Sequence, residues 1–237
     1  MEVLIVALVI AVAVVFVAFQ WHVERKRSDE LASLARGLGL SFDRGRDPGA
    51  DERFARFAMF RRGRSRSAWN IMRGGLAVGA GSIEVEIGDF RYTVTRGSGK
   101  HRSSRTYRFS YLVATNPVGT CPETIIRREG LFDRVKGVLG FDDIDFESDE
   151  FSRRFHVSSD DKRFAYDLVD QGMMEFLLGN PPPAIELDGA LICVSDGRSR
   201  WQVEEIRRQV DWLAAFLDRW PRHLAESMAD RAARGDA

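Results

Sequence analysis

Side chains that carry chemistry are scarce in this chain: 237 residues hold two cysteines and four histidines. The cysteines, Cys121 and Cys193, stand at a spacing that fits no metal or redox motif. A domain in an oxidising compartment usually carries more, so the pair is read as reduced thiols without a functional role. His22, His101, His156 and His223 are scattered, and no H-E-x-x-H, G-x-S-x-G or C-x-x-C occurs. The chain therefore lacks the local signatures of zinc peptidases, serine hydrolases and dithiol oxidoreductases. Enzymatic activity is disfavoured, no catalytic residue is assigned, and neither a metal nor a cofactor is expected. Excess charge is also missing, with 35 Lys and Arg against 35 Asp and Glu. A chain so balanced, without aromatics interleaved in its arginine tracts, is not expected to bind nucleic acid.

Long apolar runs are missing too, save one. Val3 to Phe19 reads VLIVALVIAVAVVFVAF, without a charge, proline or glycine. As a helix it spans about 26 Å, and Gln20 and Trp21 extend it toward a hydrocarbon core of ~30 Å. A cleaved signal peptide would need a positive leader and small residues at the cut, but here the leader is Met-Glu and the run ends in FQWH. The run reads as an uncleaved, single-pass anchor. Arg25, Lys26 and Arg27 come directly after it, and positive flanks stay cytoplasmic, so the expected topology is N-terminus outside and C-terminal domain in the cytoplasm of an inner membrane.

Net neutrality hides an asymmetry. His22 to Gly130 holds 21 basic against 12 acidic residues, and Leu131 to Ala237 holds 14 against 22. The basic half adjoins the anchor, where each basic residue near an anionic leaflet contributes about 1 kcal/mol. Its most concentrated stretch is RGSGKHRSS, whose GSGK resembles a phosphate loop. G-x-x-x-x-G-K-[ST] would need glycine at Val94 and a hydroxyl at His101, with a helix after it. The residues beyond it alternate like a strand, so the stretch reads as a hairpin tip with Gly97 and Gly99 supplying positive φ angles. Arg96, Lys100, His101, Arg102, Arg105 and Arg108 make that tip a candidate binding surface for anionic lipid headgroups or an acidic protein, the alternative being a solubilising loop that discourages strand-edge pairing, and whether Arg61, Arg62, Arg64 and Arg66 join it depends on the fold.

Elsewhere the pattern specifies elements rather than chemistry. Ser28 is expected to cap a short helix through Leu38, LSF to begin a strand, and DRGRDPGADE and RRGRSRS to be surface loops. IEVEI and FRYTV alternate as two strands around a turn at Gly88-Asp89, and YRFSYLV and ETIIRRE continue the meander. Leu131 to Leu139 suits a short helix. The acids Asp143, Asp145, Glu147 and Asp149 lack the glycine and glutamate of a calcium loop, and Ile144 and Phe146 between them read as a strand with one wet face. FHV is a strand, Ser159 or Asp160 caps a helix to about Leu178, and IELDGALICV is a hairpin turning at Asp188-Gly189. Ser199 and Gln202 are expected to form a capping box for an amphipathic helix ended by Pro221.

LASLARGLGLSF, GDFRYTVTRGSGKHRSSRTYRFSYLV, FSRRFHVSSDDKRFAYDLV and IELDGALICV resemble a family of bacterial single-span membrane proteins whose cytoplasmic α+β domain has no assigned activity. The resemblance implies a bacterial, membrane-attached module and carries over no site residues. The expected organisation is an anchor at 1–21, a juxtamembrane basic segment with a short helix and loop at 22–52, an α+β domain at 53–221 and a polar tail at 222–237. The fold class is α+β, an antiparallel meander packed with about three to four helices. Its expected function is a membrane-tethered binding or scaffolding module. The alternative is a hydrolase or transferase with a site assembled from distant residues around His156 and neighbouring acids.

Overall fold

The computed structural model describes residues 2–79, 81–97, 101–129 and 144–234, and opens with a 36-residue helix, α1 (Glu2–Gly37). Its N-terminal half is apolar and exposed all round, and by length and composition α1 can cross a bilayer. The anchor does not end before the juxtamembrane segment. Val23 to Gly37 continue it without a break, so Ser28 lies inside a helix instead of capping one. The C-terminal turns dock Leu31, Leu34 and Ala35 into the core, and Gly39, at a φ of 73°, turns the chain into β1 (Ser41–Asp43).

Seven further strands complete one sheet: β2 (Arg64–Val78), β3 (Gly81–Arg96), β4 (Ser103–Thr115), β5 (Cys121–Arg128), β6 (Phe155–Ser159), β7 (Ala184–Gly189) and β8 (Leu191–Val194). Their order is β1-β2-β3-β4-β8-β7-β5-β6, with every neighbouring pair antiparallel. The expected α+β class holds, and the Asp188-Gly189 hairpin forms with Gly189 at a φ of 56°. Six helices come after α1 among the described residues: α2 (Ala50–Arg53), α3 (Asp149–Arg154), α4 (Lys162–Leu168), α5 (Gln171–Gly179), α6 (Val203–Asp218) and α7 (Arg222–Arg234). The single helix expected up to Leu178 is two, capped by Asp161 and Asp170, whose carboxylates accept from Phe164 N and Met173 N. Gln202 precedes α6 without a side-chain cap, and the expected polar tail is α7, which buries Leu224 and Met228.

Both faces of the sheet are covered, by different means. One face packs α1 and the C-terminal helices over Ile83, Val85, Ile87 and Leu112; the other carries an aromatic cluster of Phe54, Phe57, Phe60, Phe90, Phe109 and Tyr111. This division corrects the turn expected at Gly88-Asp89: β3 is one continuous strand through both residues. Its inward set changes from Ile83, Val85 and Ile87 to Phe90 and Tyr92 because the covered face changes there, and successive side chains of a strand point to opposite faces. A change of phase in the pattern looks like a turn when only the local window is read. RRGRSRS is likewise partly strand, since β2 begins at Arg64. Ile144 and Phe146 are buried as their alternation predicts, but the strand expected there does not form: 144–148 is irregular and leads into α3. Asp143, Lys100, Gly99 and the helix expected over 131–139 lie outside the described residues.

Candidate functional site at the foot of the membrane helix

The phase change in β3 leaves Asp89 facing α1, and Asp89 is the centre of a buried polar junction. Arg27 donates to Asp89 Oδ1 at 2.9 Å through Nη2 and to Oδ2 at 3.2 Å through Nε. The same guanidinium donates to Trp201 O at 2.7 Å. Ser110 Oγ donates to Asp89 Oδ1 at 2.6 Å and accepts from Trp201 N at 2.9 Å. Asn70 Nδ2 reaches Asp89 Oδ2 at 3.3 Å, and Ser28 Oγ donates to Asn70 Oδ1 at 2.8 Å. The β2 ladder slips between Trp69 and Met72, and Asn70 takes a φ of 52°, a region asparagine tolerates better than most residues. The bulge is what turns the amide toward α1. Arg27, counted from sequence as part of the solvated positive flank, is thus a largely buried structural group, while Arg25 and Lys26 stay exposed.

A second polar cluster lies on the opposite face. Glu86 accepts from Arg53 Nη2 at 3.0 Å, Arg73 Nε at 2.8 Å and Tyr111 Oη at 2.6 Å. Asp47 joins through the same two arginines at 2.8 and 2.7 Å. Burial works against an ionised Asp47, but bonds from Arg53, the Gly49 amide and Arg73 outweigh it and hold its carboxyl below the usual range. Burial, reinforced by the adjacent Glu86, pushes the Tyr111 phenol well above its ordinary value. Every charge here is answered inside the cluster, which therefore braces the sheet.

Beyond Asp89 the β3–β4 pair continues as an arm. Tyr92 and Tyr107 stack with centroids 5.2 Å apart, and Arg105 lies over Tyr107 at 5.1 Å. Arg96, His101, Arg102, Arg105 and Arg108 are all exposed on this arm, as a basic hairpin requires, and Gly97 takes a φ of 80°. Arg64 hydrogen-bonds Thr95 and so joins the arm. Arg66 does not, being held by Asp51 at 2.6 Å. Between the arm and α1 lies a cavity of about 680 Å³ whose lining includes Trp21, Arg25, Arg46, Trp69, Arg91 and Arg108. Sequence reasoning found Arg108 but missed Arg46 and Arg91, because no local spacing links a loop, a strand and a helix.

No family model matches the chain, and no curated protein matches it. A solved structure it resembles is the mycobacterial trehalose monomycolate transport factor A, TtfA, at 17% identity and a TM-score of 0.52, covering 81% of this chain and 95% of that one. The likeness shows a shared fold.

His156, the residue around which an assembled active site was considered, is buried on β6 opposite Arg127. Of the acids considered with it, Asp149 begins α3, and Asp145 uses its backbone carbonyl to accept from Tyr166 Oη at 3.1 Å. Among the described residues no group of three or more His, Cys, Asp or Glu is placed to hold a metal ion. Glu186 on β7 carries the most perturbed carboxyl, raised to about 7 by burial, with Arg62 opposing the shift and Glu123 adding to it. Arg62 and Glu186 line the same small cavity.

Proposed function

We propose that the protein is a single-pass, membrane-mounted binding or scaffolding module without a catalytic role, holding its α+β domain against the cytoplasmic leaflet. The observation that carries this reading is the unbroken passage of α1 from its apolar segment into the Arg27–Asp89 junction. A flexible tether would only confine the domain, whereas a helix bonded into the sheet also fixes which surface faces the bilayer. That surface is the basic arm. Arg91 and Arg108 lie beside Trp21 and Arg25 in the cavity, so the strands leave Asp89 in the direction in which α1 leaves Arg27 for the membrane. From Asp89 to Arg96 the arm extends about 23 Å, against about 9 Å from Arg27 to Trp21. It reaches headgroup level even when splayed from the helix axis. Its exposed arginines suit anionic lipid headgroups or an acidic protein surface. The transport role named for TtfA suggests the kind of process, accessory work in moving a lipid.

The test uses the full chain in nanodiscs, with Ser103→Cys carrying an environment-sensitive fluorophore. Blue-shifted emission in phosphatidylglycerol-containing discs but not in phosphatidylcholine discs, abolished by Arg102→Ser with Arg105→Ser, supports the reading. Identical emission in both discs rejects the lipid-facing arm. A reporter fused after Ala237 that is active only outside the cytosol rejects the orientation.

A further inference from the structure

Five arginines line the cavity at the foot of α1, and Arg25, Arg46, Arg91 and Arg108 are the four that concern the proposal. Arg91 and Arg108 are direct register partners on β3 and β4, and like charges placed opposite each other across strands repel. Arg46 reaches the same cavity from the loop after β1, and Arg25 from α1, where its guanidinium sits 5.1 Å from the Trp21 ring centroid. The one carboxylate in the lining, Glu24, accepts from Arg200 at 2.8 Å and meets Arg108 only through a weaker, longer-range attraction, while Arg44, the fifth arginine, is paired with Asp29 at 2.5 Å. Among the described residues no ion pair reaches Arg25, Arg46, Arg91 or Arg108. Arg91 shows the consequence, its pKa drawn below the guanidinium norm by burial and then by Arg46 and Arg108. Its one described polar side-chain contact is Ser67 Oγ at 3.2 Å.

The walls are not those of a simple ion trap. Trp21 closes the apolar run and lies where an amphipathic ring meets the headgroups, and Trp69 faces the cavity from β2. A volume of about 680 Å³ exceeds what a bare phosphate fills and suits a headgroup with its glycerol. Planar guanidiniums bind phosphate oxygens in paired hydrogen bonds, and each added anion oxygen relieves the Arg91–Arg108 repulsion.

The geometry points to a site for one net-anionic phospholipid of the adjoining leaflet, its phosphate held by Arg91, Arg108 and Arg46 and its glycerol end against Trp21 and Trp69. This rests on the membrane-mounted reading above, and shares only Arg108 with the basic residues of the hairpin.

The experiment is native mass spectrometry of the full chain released from neutral detergent, titrated with phosphatidylglycerol, phosphatidylcholine or inorganic phosphate. Retention of one phosphatidylglycerol, weakened about tenfold or more in Arg91→Gln with Arg108→Gln, is the expected result. The double variant without lipid should melt no lower than the parent, because it removes a repulsion, and that melting temperature certifies the fold. Equal retention of phosphatidylcholine, or unchanged retention by a folded double variant, overturns the site. Retention of inorganic phosphate as tight as that of the lipid overturns its assignment to a lipid. The fluorescent arm reads separately: a double variant that loses lipid but keeps the blue shift in anionic discs supports the cavity site, and one that loses the shift while retaining lipid overturns it.

Discussion

Arg27 and Asp89, 62 positions apart, share three hydrogen bonds at 2.9, 3.2 and 3.2 Å and join the long N-terminal helix to the sheet. Their side chains keep 11% and 2% of their surface, so removing either leaves the other charged and desolvated. Arg27→Ala or Asp89→Ala should cost about 3–5 kcal/mol of stability. Denaturant titration of the full chain in neutral detergent measures it. Arg27→Met combined with Asp89→Leu should recover only part of the loss, since Ser110, Asn70 and the Trp201 carbonyl would each lose a partner.

Gly88 and Tyr111 give a second test. A Cβ on Gly88 would meet Tyr111 Oη at 2.9 Å and its ring at 3.1 and 3.2 Å, while Glu86 holds that hydroxyl in place. Gly88→Ala should destabilise by about 1–3 kcal/mol, and Tyr111→Phe by about 1–2 kcal/mol. The double variant should cost less than the two together, because the hydroxyl is the nearest obstacle. Thermal melts of the three variants check the coupling.

Glu186 makes stability depend on pH in a stated direction. Its carboxyl is raised from 4.5 to about 7 in the folded chain, so between those values the unfolded chain has released a proton that the fold retains. Stability from this group is complete below about 4.5 and falls as pH rises through about 7, by about 1–3 kcal/mol. Glu186→Gln should flatten that stretch of the stability–pH curve and raise the melting temperature at pH 8. Parallel curves for parent and variant would show that Glu186 is not the group responsible.

Cys121 and Cys193 are free and buried, and burial pushes the first to about 12 and the second well above the ordinary thiol value. Thiolate is the reactive form, so neither should label with maleimide at pH 7 until the chain is denatured, when both should. Mass counting before and after denaturant decides it.

These sites differ in how far the sequence reveals them. The Asp188-Gly189 turn and the buried pair Ile144 and Phe146 are legible because a short window contains the whole signal. The β3–β4 pairing is legible for the same reason, with Gly97 at the positive φ its pattern demands; Gly99 lies outside the described residues. The junction is not. Arg27, Ser28, Asn70, Asp89, Ser110 and Trp201 come from distant stretches, and Arg27, Ser28 and Asp89 have ordinary local explanations: a positive flank, a cap, a turn. Asp89 misleads most, since Gly88-Asp89 has turn composition but sits where the sheet changes its covered face. Arg46 and Arg91 stay hidden likewise, because a convergence of charge from separate elements leaves no spacing to read.

The absence of a hinge in α1 gives the anchor an angular bearing on the domain. Each residue of a helix adds about 100° of rotation and 1.5 Å of height. One alanine inserted after His22 would swing the domain about a third of a turn around the helix axis and carry the arm away from the surface it is proposed to face. Seven inserted would restore nearly the original azimuth about 10 Å farther from the bilayer. The blue shift of the arm's fluorophore in anionic nanodiscs, plotted against insert length, should rise and fall with the helical repeat, a behaviour no slack linker would produce.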